Sequence, residues 1–454
     1  MGVARIASAF SLPPPSPMPS SLYIHLPFCL QRCAYCAFPV IVTPQVPANR
    51  PPPLQTSYIH LLKREINSFF ALYNRALPPL QTLYLGGGTP SLLHPALLDS
   101  LLDTLRRHVS FAPDIEFTCE MDPATFTDAH ARHFAQAGVN RASVGAQTFD
   151  PHLLKLTRRI HTPSDIATAL SSLRKASISN ISLDLIAGLP HQTLQTWRNT
   201  LQQALQLQPQ HMSIYDLTLE QGTPFARSYT SAKHPLPDEH SSVQMLTDAV
   251  EMLSTHGYQH YEISNFARAH QAHDFRSRHN LAYWRNDPFF AFGLGATSLV
   301  HHVRFARPRL LGQYRNYVNN LYQCTQQTSD LDPQQRLLRA AFPGARVQNP
   351  TECLEDYLIN RFRLLSEGVD FCHLRNMFGH VVERRLRNAV KQCNHFVEDR
   401  LLLVETDGLG RDVLRLSEQG ALLENSIVSD LLWHAVWKFV DESATEEKLQ
   451  KQPV

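Results

Sequence analysis

Three cysteines, Cys29, Cys33 and Cys36, fall within eight residues of the run YIHLPFCLQRCAYCAFP, in a chain of 454 residues with eight cysteines. Thiolates so closely spaced can converge on one soft metal centre. An iron–sulfur cube takes a protein ligand on each iron, usually cysteine. Three cysteines on a [4Fe–4S] cube leave one iron open for chemistry. A structural zinc knuckle is the alternative; it needs a fourth ligand, and His25 is the residue available.

The elements that position these thiols can be read from periodicity. SLYIHL reads as a strand entering the cysteine loop, and residues 41–55, rich in proline, as an extended loop. A helix over 57–72 follows, then the strand TLYLGGG. Helices around 95–108, 127–137, 163–175 and 193–206 then alternate with strands IEFTCE, RASVGAQ, NISLDLIAGLP and HMSIYDLTLE. Such alternation with short connections predicts an α/β fold with a parallel sheet and helical crossovers. About six units over 22–220 predict a partial (β/α)6 TIM-like barrel. The cysteine loop, Gly86–Pro90, Glu120, Gln147, Asp184 and Gly188–Pro190 all fall at or just beyond strand ends. Ligands bind at that edge in such folds.

The expected boundaries are a leader over 1–20, the barrel over 21–235, a barrel extension over 236–345, a C-terminal mainly helical, winged-helix-like domain over 346–440 and a disordered tail over 441–454. LLLVETDGLGRDVLRLSEQG reads as a two-stranded ribbon, and 417–440 as a closing helix with Trp433 and Trp437 on one face. The leader is rich in serine and proline and lacks acidic residues; it reads either as an organelle-targeting remnant or as disordered chain outside the fold.

A net charge of +2 gives no electrostatic case for nucleic acid, and no basic recognition helix stands out in the C-terminal region. Apolar runs are too short and too interrupted to span a membrane. The other cysteines, Cys119, Cys324, Cys353, Cys372 and Cys393, are scattered singly, as buried small hydrophobes in a reducing compartment would be. The location expected is cytoplasmic, or a plastid or mitochondrion if the leader is a targeting remnant.

The cysteine motif resembles the signature of the radical S-adenosylmethionine (SAM) superfamily. The blocks LYLGGGTPSLL, NRASVGAQTFD, LDLIAGLPHQTLQTW, SIYDLTLEQGTPF, YEISNFA, SRHNLAYW and GLGATSL, in this order, are similar to the branch containing oxygen-independent coproporphyrinogen III oxidase and the HemW-type haem chaperones. The oxidases resemble CxxxCxxCxC; here Phe38 stands at the last cysteine position. The short N-terminus and the HNxxYW run at 279–284 also resemble the chaperones.

The resemblance implies three cofactors: a [4Fe–4S] cluster on Cys29, Cys33 and Cys36, SAM on the open iron, and haem. Tyr23 would pack near the cluster, and Phe28 and Phe38 would exclude water. Gly86, Gly87, Gly88 and Thr89 would meet the amino end of SAM, glycine letting the backbone approach closely. A glycine triplet by itself is otherwise only a tight turn. Glu120, Gln147, Arg159 and Asp184 match positions that line SAM, with Arg159 pairing the SAM carboxylate. Their alternative is an ordinary buried ion pair, and Glu120 needs a cationic or hydroxyl partner. Asp122 stands where the family usually has asparagine, and Ala146 where valine or isoleucine is common; neither is expected to change much. His279 is the candidate haem ligand, with Tyr283 and Trp284 as flat apolar surface, or else it caps a loop over the barrel mouth.

The function implied is haem binding and delivery to acceptor haemoproteins, membrane-associated respiratory enzymes among them, with no nucleic acid and with a homodimer as a further expectation. The alternative is coproporphyrinogen III oxidase, decarboxylating propionate side chains. SAM binding is expected under either; whether SAM is cleaved productively, and so whether the chain is an enzyme, stays open.

Overall fold

The computed structural model describes residues 13–14, 17–44, 50–229, 235–326, 331, 335–336, 339, 345–408 and 410–438. Most of the expected leader and all of the expected tail lie outside them. The end of the leader does not stand apart from the fold: Met18 packs on the core, and the Ser20 carbonyl accepts from Gln81 N–H at 2.7 Å.

Six parallel strands stand side by side in chain order: β1 (Ser21–Leu26), β2 (Leu80–Gly87), β3 (Phe111–Met121), β4 (Arg141–Gln147), β5 (Asn180–Ala187) and β6 (His211–Asp216). The side chains of β1, β4 and β5 are buried almost continuously, as expected of parallel strands covered on both faces. The crossovers are α1 (Pro53–Tyr73), α2 (Pro95–Arg106), α3 (Asp128–Ala137), α4 (Pro163–Lys175) and α5 (Leu194–Gln206). The starts of α3 and α4 carry capping residues: Thr127 Oγ1 accepts from His130 N–H, and Thr162 with Asp165 forms a capping box.

The sheet then grows at both ends. After α6 (Glu239–Thr255), β7 (Tyr258–Glu262) and β8 (Asn265–Arg268) add antiparallel strands beyond β6. After α7 (Arg278–Trp284), β9 (Phe289–Phe292) pairs parallel with β1, and β10 (Thr297–Val300), β11 (Val303–Ala306) and β12 (Arg346–Val347) continue outward. Among the described residues the sheet thus has twelve strands. β12 belongs to it, so the large sheet extends to Val347 and takes the first two residues expected in the C-terminal domain. The β9 edge is tied to α1 by a fully buried Arg307–Glu65 pair at 2.7 Å, with Glu65 also accepting from Gly293 N–H at 2.9 Å.

A second apolar cluster gathers Leu354, Phe362, Leu374, Leu386, Leu414 and Leu431. Its elements are α8 (Pro350–Phe362), β13 (Val369–Asp370), α9 (Phe371–Phe378), α10 (His380–Gln392), β14 (Leu402–Thr406), β15 (Asp412–Leu416) and α11 (Glu424–Leu432). The expected ribbon is present as β14 and β15, with β13 on its other side. The expected unbroken closing helix is not: a turn separates Glu418–Ala421 from α11, and a π-helical turn spans Trp433–Trp437. Trp433 is exposed and Trp437 packs on the cluster, so the two do not share an environment. α10 is richer in cations than the sequence reading allowed, with Arg384, Arg385, Arg387 and Lys391. Arg387 is held by Glu383 and Asp412, each at 3.1 Å. Cys372 is exposed, against the expectation for a lone cysteine.

Candidate functional site

The cysteine loop leaves β1 and is closed at its neck. Phe28–Cys29 pairs with Ile41–Val42, and Thr43 N–H donates to Cys29 C=O at 2.8 Å. Inside the loop, Ala34 N–H donates to Thr157 C=O at 3.1 Å, which fastens it to the segment after β4. Cys29, Cys33 and Cys36 all open on one cavity of about 460 Å³ at the C-terminal edge of the sheet. The size suits a small-molecule site. Gly87, Gly88, Thr89, Glu120, Gln147, Arg159 and Asp184 line the same cavity. Ten of the fifteen residues expected in the site therefore share one wall.

Burial pushes the Cys29 thiol up to about 12, and the Cys36 thiol also upward. A thiolate there needs a cation beside it. Among the described residues, no three His, Cys, Asp or Glu side chains converge as they would on a single ion. Ligands that each meet a different iron of a cube have no need to do so. His25 does not serve as a fourth zinc ligand: Nε2 donates to Pro39 C=O at 3.0 Å and Nδ1 accepts from the Tyr23 hydroxyl at 3.1 Å. Burial lowers its pKa to about 4. The thiol set, with this histidine committed elsewhere, fits a three-cysteine cluster.

Each glycine of 86–88 is required by what lies against it. A Cβ on Gly87, at φ +117°, would sit 2.5 Å from the His25 ring; one on Gly88, 2.6 Å from the Pro27 carbonyl carbon; one on Gly86, 2.9 Å from both Tyr23 and Tyr84. Gly86 and Tyr23 lie behind the wall rather than on it: Tyr23 stacks on Tyr84 with ring centroids 5.9 Å apart.

Glu120 finds the hydroxyl partner it needs. The Tyr84 hydroxyl donates to Oε1 at 3.0 Å and Gly87 N–H to Oε2 at 2.8 Å. Burial outweighs both bonds and raises its pKa to about 7. Asp184 accepts from the Ser143 hydroxyl at 2.8 Å, and burial raises its pKa also. Gln147 stands at φ +64°, where a bulge between β4 and β5 turns the strand end.

Arg159 is committed differently from the expectation. Its Nη2 lies 2.6 Å from Asp122 Oδ2 and donates to Gly145 C=O at 2.6 Å; Nη1 reaches Cys33 Sγ at 3.5 Å. Burial opposes the Asp122 charge, but Arg159 and His161 overcome it, and the carboxyl sits below its ordinary range. The aspartate expected to change little thus holds the one arginine assigned to SAM. Arg159 Nε is buried without a partner among the described residues, which leaves a donor for a bound group.

The HNxxYW run is not on the cavity wall. His279 is 1% exposed, with Nδ1 2.7 Å from Thr82 Oγ1 and Nε2 2.9 Å from the Tyr283 hydroxyl. Its ring stacks on Tyr84, behind Glu120. Burial drops its pKa to about 3. Both nitrogens are engaged, so it offers no free ligand. Trp284, one residue beyond Tyr283, faces the other way: Arg363 lies 4.5 Å over its ring, and it packs beside Leu364. Phe38, expected to exclude water, is 63% exposed, whereas Phe28 is buried.

Sequence reasoning overlooked Ser143, Tyr215 and Asp216, which also line the cavity. Tyr215 and Asp216 end β6, and the strand-end rule applied to the other strands would have found them.

The Radical SAM superfamily pattern matches residues 23–204. The chain is 38% identical over 333 residues to the Heme chaperone HemW of Synechocystis sp., covering 73% of this chain and 78% of that protein. It is 32% identical over 414 residues to the Heme chaperone HemW of Escherichia coli, covering 90% and 97%. The mitochondrial Radical S-adenosyl methionine domain-containing protein 1 of Danio rerio is 27% identical over 416 residues, 91% of this chain and 87% of that protein. Among solved structures, coproporphyrinogen III oxidase (HemN) from Escherichia coli superposes with a TM-score of 0.73 at 22% identity, covering 92% of this chain and 91% of that one. At that identity the likeness bears on the fold.

Proposed function

The chain belongs to the Heme chaperone HemW family of the radical SAM superfamily, and we propose that it binds haem and hands it to acceptor haemoproteins. The observation that carries the radical SAM part is the single cavity shared by three cysteines, a glycine wall and two buried carboxylates. Cys29, Cys33 and Cys36 would hold the [4Fe–4S] cluster. SAM would lie between the glycine wall and the ends of β3 to β5. When bound, these groups supply one-electron chemistry.

The chain's own residues do the positioning. The Phe28–Cys29 and Ile41–Val42 pairing fixes the loop ends, and His25 braces the loop through Pro39. Glu120, held by Tyr84 and Gly87, would be the carboxylate available to the amino group of SAM, whose positive charge would favour its ionised form. Ser143 holds Asp184, which would be the acceptor available to ribose hydroxyls. Asp122 anchors Arg159 across Cys33, where the guanidinium offsets thiolate charge.

The haem part rests on the family. Membrane-associated acceptors and a homodimer remain part of the proposal. Among the described residues, no helix is long and apolar enough to cross a membrane. The test is anaerobic purification with cluster reconstitution, then haem titration and a coproporphyrinogen oxidase assay on one sample. The reading expects a stable haem spectrum and no protoporphyrinogen. Protoporphyrinogen formation without haem binding would favour the oxidase.

A further inference from the structure

Strands covered on both faces are usually apolar on both. On β5 and β6 one face is polar instead. Ser182 and Asp184 alternate along β5, His211 and Ser213 along β6, with Ser182 opposite His211 and Asp184 opposite Ser213. Ser182, His211 and Ser213 are buried, and such groups are costly unless each finds a partner.

The partners form one chain. Ser277 N–H donates to the Tyr261 hydroxyl at 3.1 Å, and that hydroxyl lies 2.9 Å from His211 Nε2. His211 Nδ1 lies 2.8 Å from Ser182 Oγ, and the Ser182 hydroxyl donates to Asp184 Oδ1 at 3.2 Å. Its direction is fixed at the far end. A backbone N–H only donates, so the Tyr261 oxygen accepts from Ser277 and its own hydrogen goes to His211 Nε2. Burial lowers the His211 pKa well below its ordinary value, so the ring is neutral and its one hydrogen sits on Nδ1, facing Ser182. Ser213 Oγ, at 3.3 Å, is the other oxygen in reach of Ser182, but a carboxylate is the stronger acceptor. Every bond therefore polarises the next toward Asp184.

Asp184 lines the cavity, whereas Ser182, His211 and Tyr261 do not. Ser277 is the N-cap of α7, whose Arg278 and His279 N–H groups donate to Glu116. We propose that His211 and Tyr261 are positioning residues for SAM, holding Asp184 through Ser182 as an ionised acceptor. The inference rests on the radical SAM reading of the cavity and adds residues that never touch the ligand. It also ties both cavity carboxylates to α7, because His279 stacks on Tyr84, which donates to Glu120.

The other charged and titratable groups facing Asp184 are Arg141 on β4, Glu120 on β3, Tyr84 on β2 and Tyr215 on β6. Arg141 also faces His211. None of them is altered in the variants below, so their influence cancels in a ratio of variant to parent.

The test uses the full chain with its cluster reconstituted, titrated calorimetrically with SAM from about pH 5.5 to about pH 8.5. Breaking the chain makes Asp184 easier to protonate, so the loss of affinity should grow as pH falls. Tyr261→Phe is expected to weaken SAM roughly threefold at the acid end and to match the parent at the alkaline end. In a Ser182→Ala background, Tyr261→Phe should cost nothing further. His211→Asn, whose amide keeps a donor beside Ser182, should lose less than His211→Leu. Parent-like binding by Tyr261→Phe, a loss equal at every pH, additive losses, or equal losses in the two His211 variants would overturn the chain and leave the SAM reading standing. Failure of the cluster-loaded parent to bind SAM would overturn both.

Discussion

Asp122 Oδ2 lies 2.6 Å from Arg159 Nη2, and both side chains are nearly buried, at 12% and 10% exposed. The two residues stand 37 positions apart, one at the end of β3 and the other beyond β4. Truncating one partner leaves the other as an uncompensated buried charge, which typically costs about 3–5 kcal/mol. Asp122→Ala is therefore expected to lower the melting temperature of the cluster-free chain by several degrees. Asp122→Asn, which can still accept a hydrogen bond, should lose less. Equal melting for Asp122→Ala and the parent would remove the pair from the account.

Glu120 carries a signed pH prediction. Burial raises its pKa from 4.5 to about 7. The folded chain therefore holds this proton more tightly than the unfolded chain. Its contribution to stability is fully present below the unfolded value and is lost as pH rises through about 7. SAM binding runs the other way, because a cationic amino group favours the carboxylate. SAM affinity should climb between pH 6 and pH 8, and Glu120→Gln should flatten that slope and lower affinity about tenfold at pH 8. Calorimetric titration across the range reads both, and an identical slope in the variant would refute the assignment.

Gly87 tests the wall behind the cysteine loop. A Cβ there would strike the His25 ring at 2.5 Å, in a backbone conformation of φ +117°. Gly87→Ala should displace His25, loosen its hold on Pro39 C=O and reduce cluster loading to less than half of the parent's iron per chain. Full loading measured by iron and sulfide assay would contradict it.

His279 and Trp284 sit on opposite sides of α7 and should fail differently. His279→Ala removes a ring stacked on Tyr84 and bonded to Thr82 and Tyr283. It should reduce SAM affinity through Tyr84 and Glu120. Trp284→Ala should leave SAM affinity near the parent's but release a C-terminal fragment faster under limited proteolysis, because its ring packs with Arg363 and Leu364. The same proteolysis pattern for both variants would refute the division.

Much of this was legible in the residues. The parallel strands announced themselves as apolar runs ending in polar residues, and those ends met at one cavity because parallel strands all finish at the same edge. What stayed hidden depends on direction rather than identity. A seven-residue helix turns His279 and Tyr283 one way and Trp284 the other, and the motif's letters do not say which faces the cavity. The Asp122–Arg159 pair joins the end of β3 to the turn after Pro151–Leu156. Phe38 follows the third cysteine by two residues yet faces solvent, because it lies outside the Phe28–Cys29 and Ile41–Val42 pairing that closes the loop neck. The glycine triplet was read for ligand access; its neighbours Tyr23, Tyr84, His25 and Pro27 come from packing that no local pattern reveals.

The most direct measurement is haem transfer. The cluster-loaded chain, charged with one haem and freed of excess, is mixed with an apo-haemoprotein and the two are separated. The account predicts that haem leaves this chain and appears in the acceptor with the acceptor's own spectrum, faster than release into buffer alone. Haem that stays on the chain, or that reaches the acceptor no faster than free haem does, would contradict it.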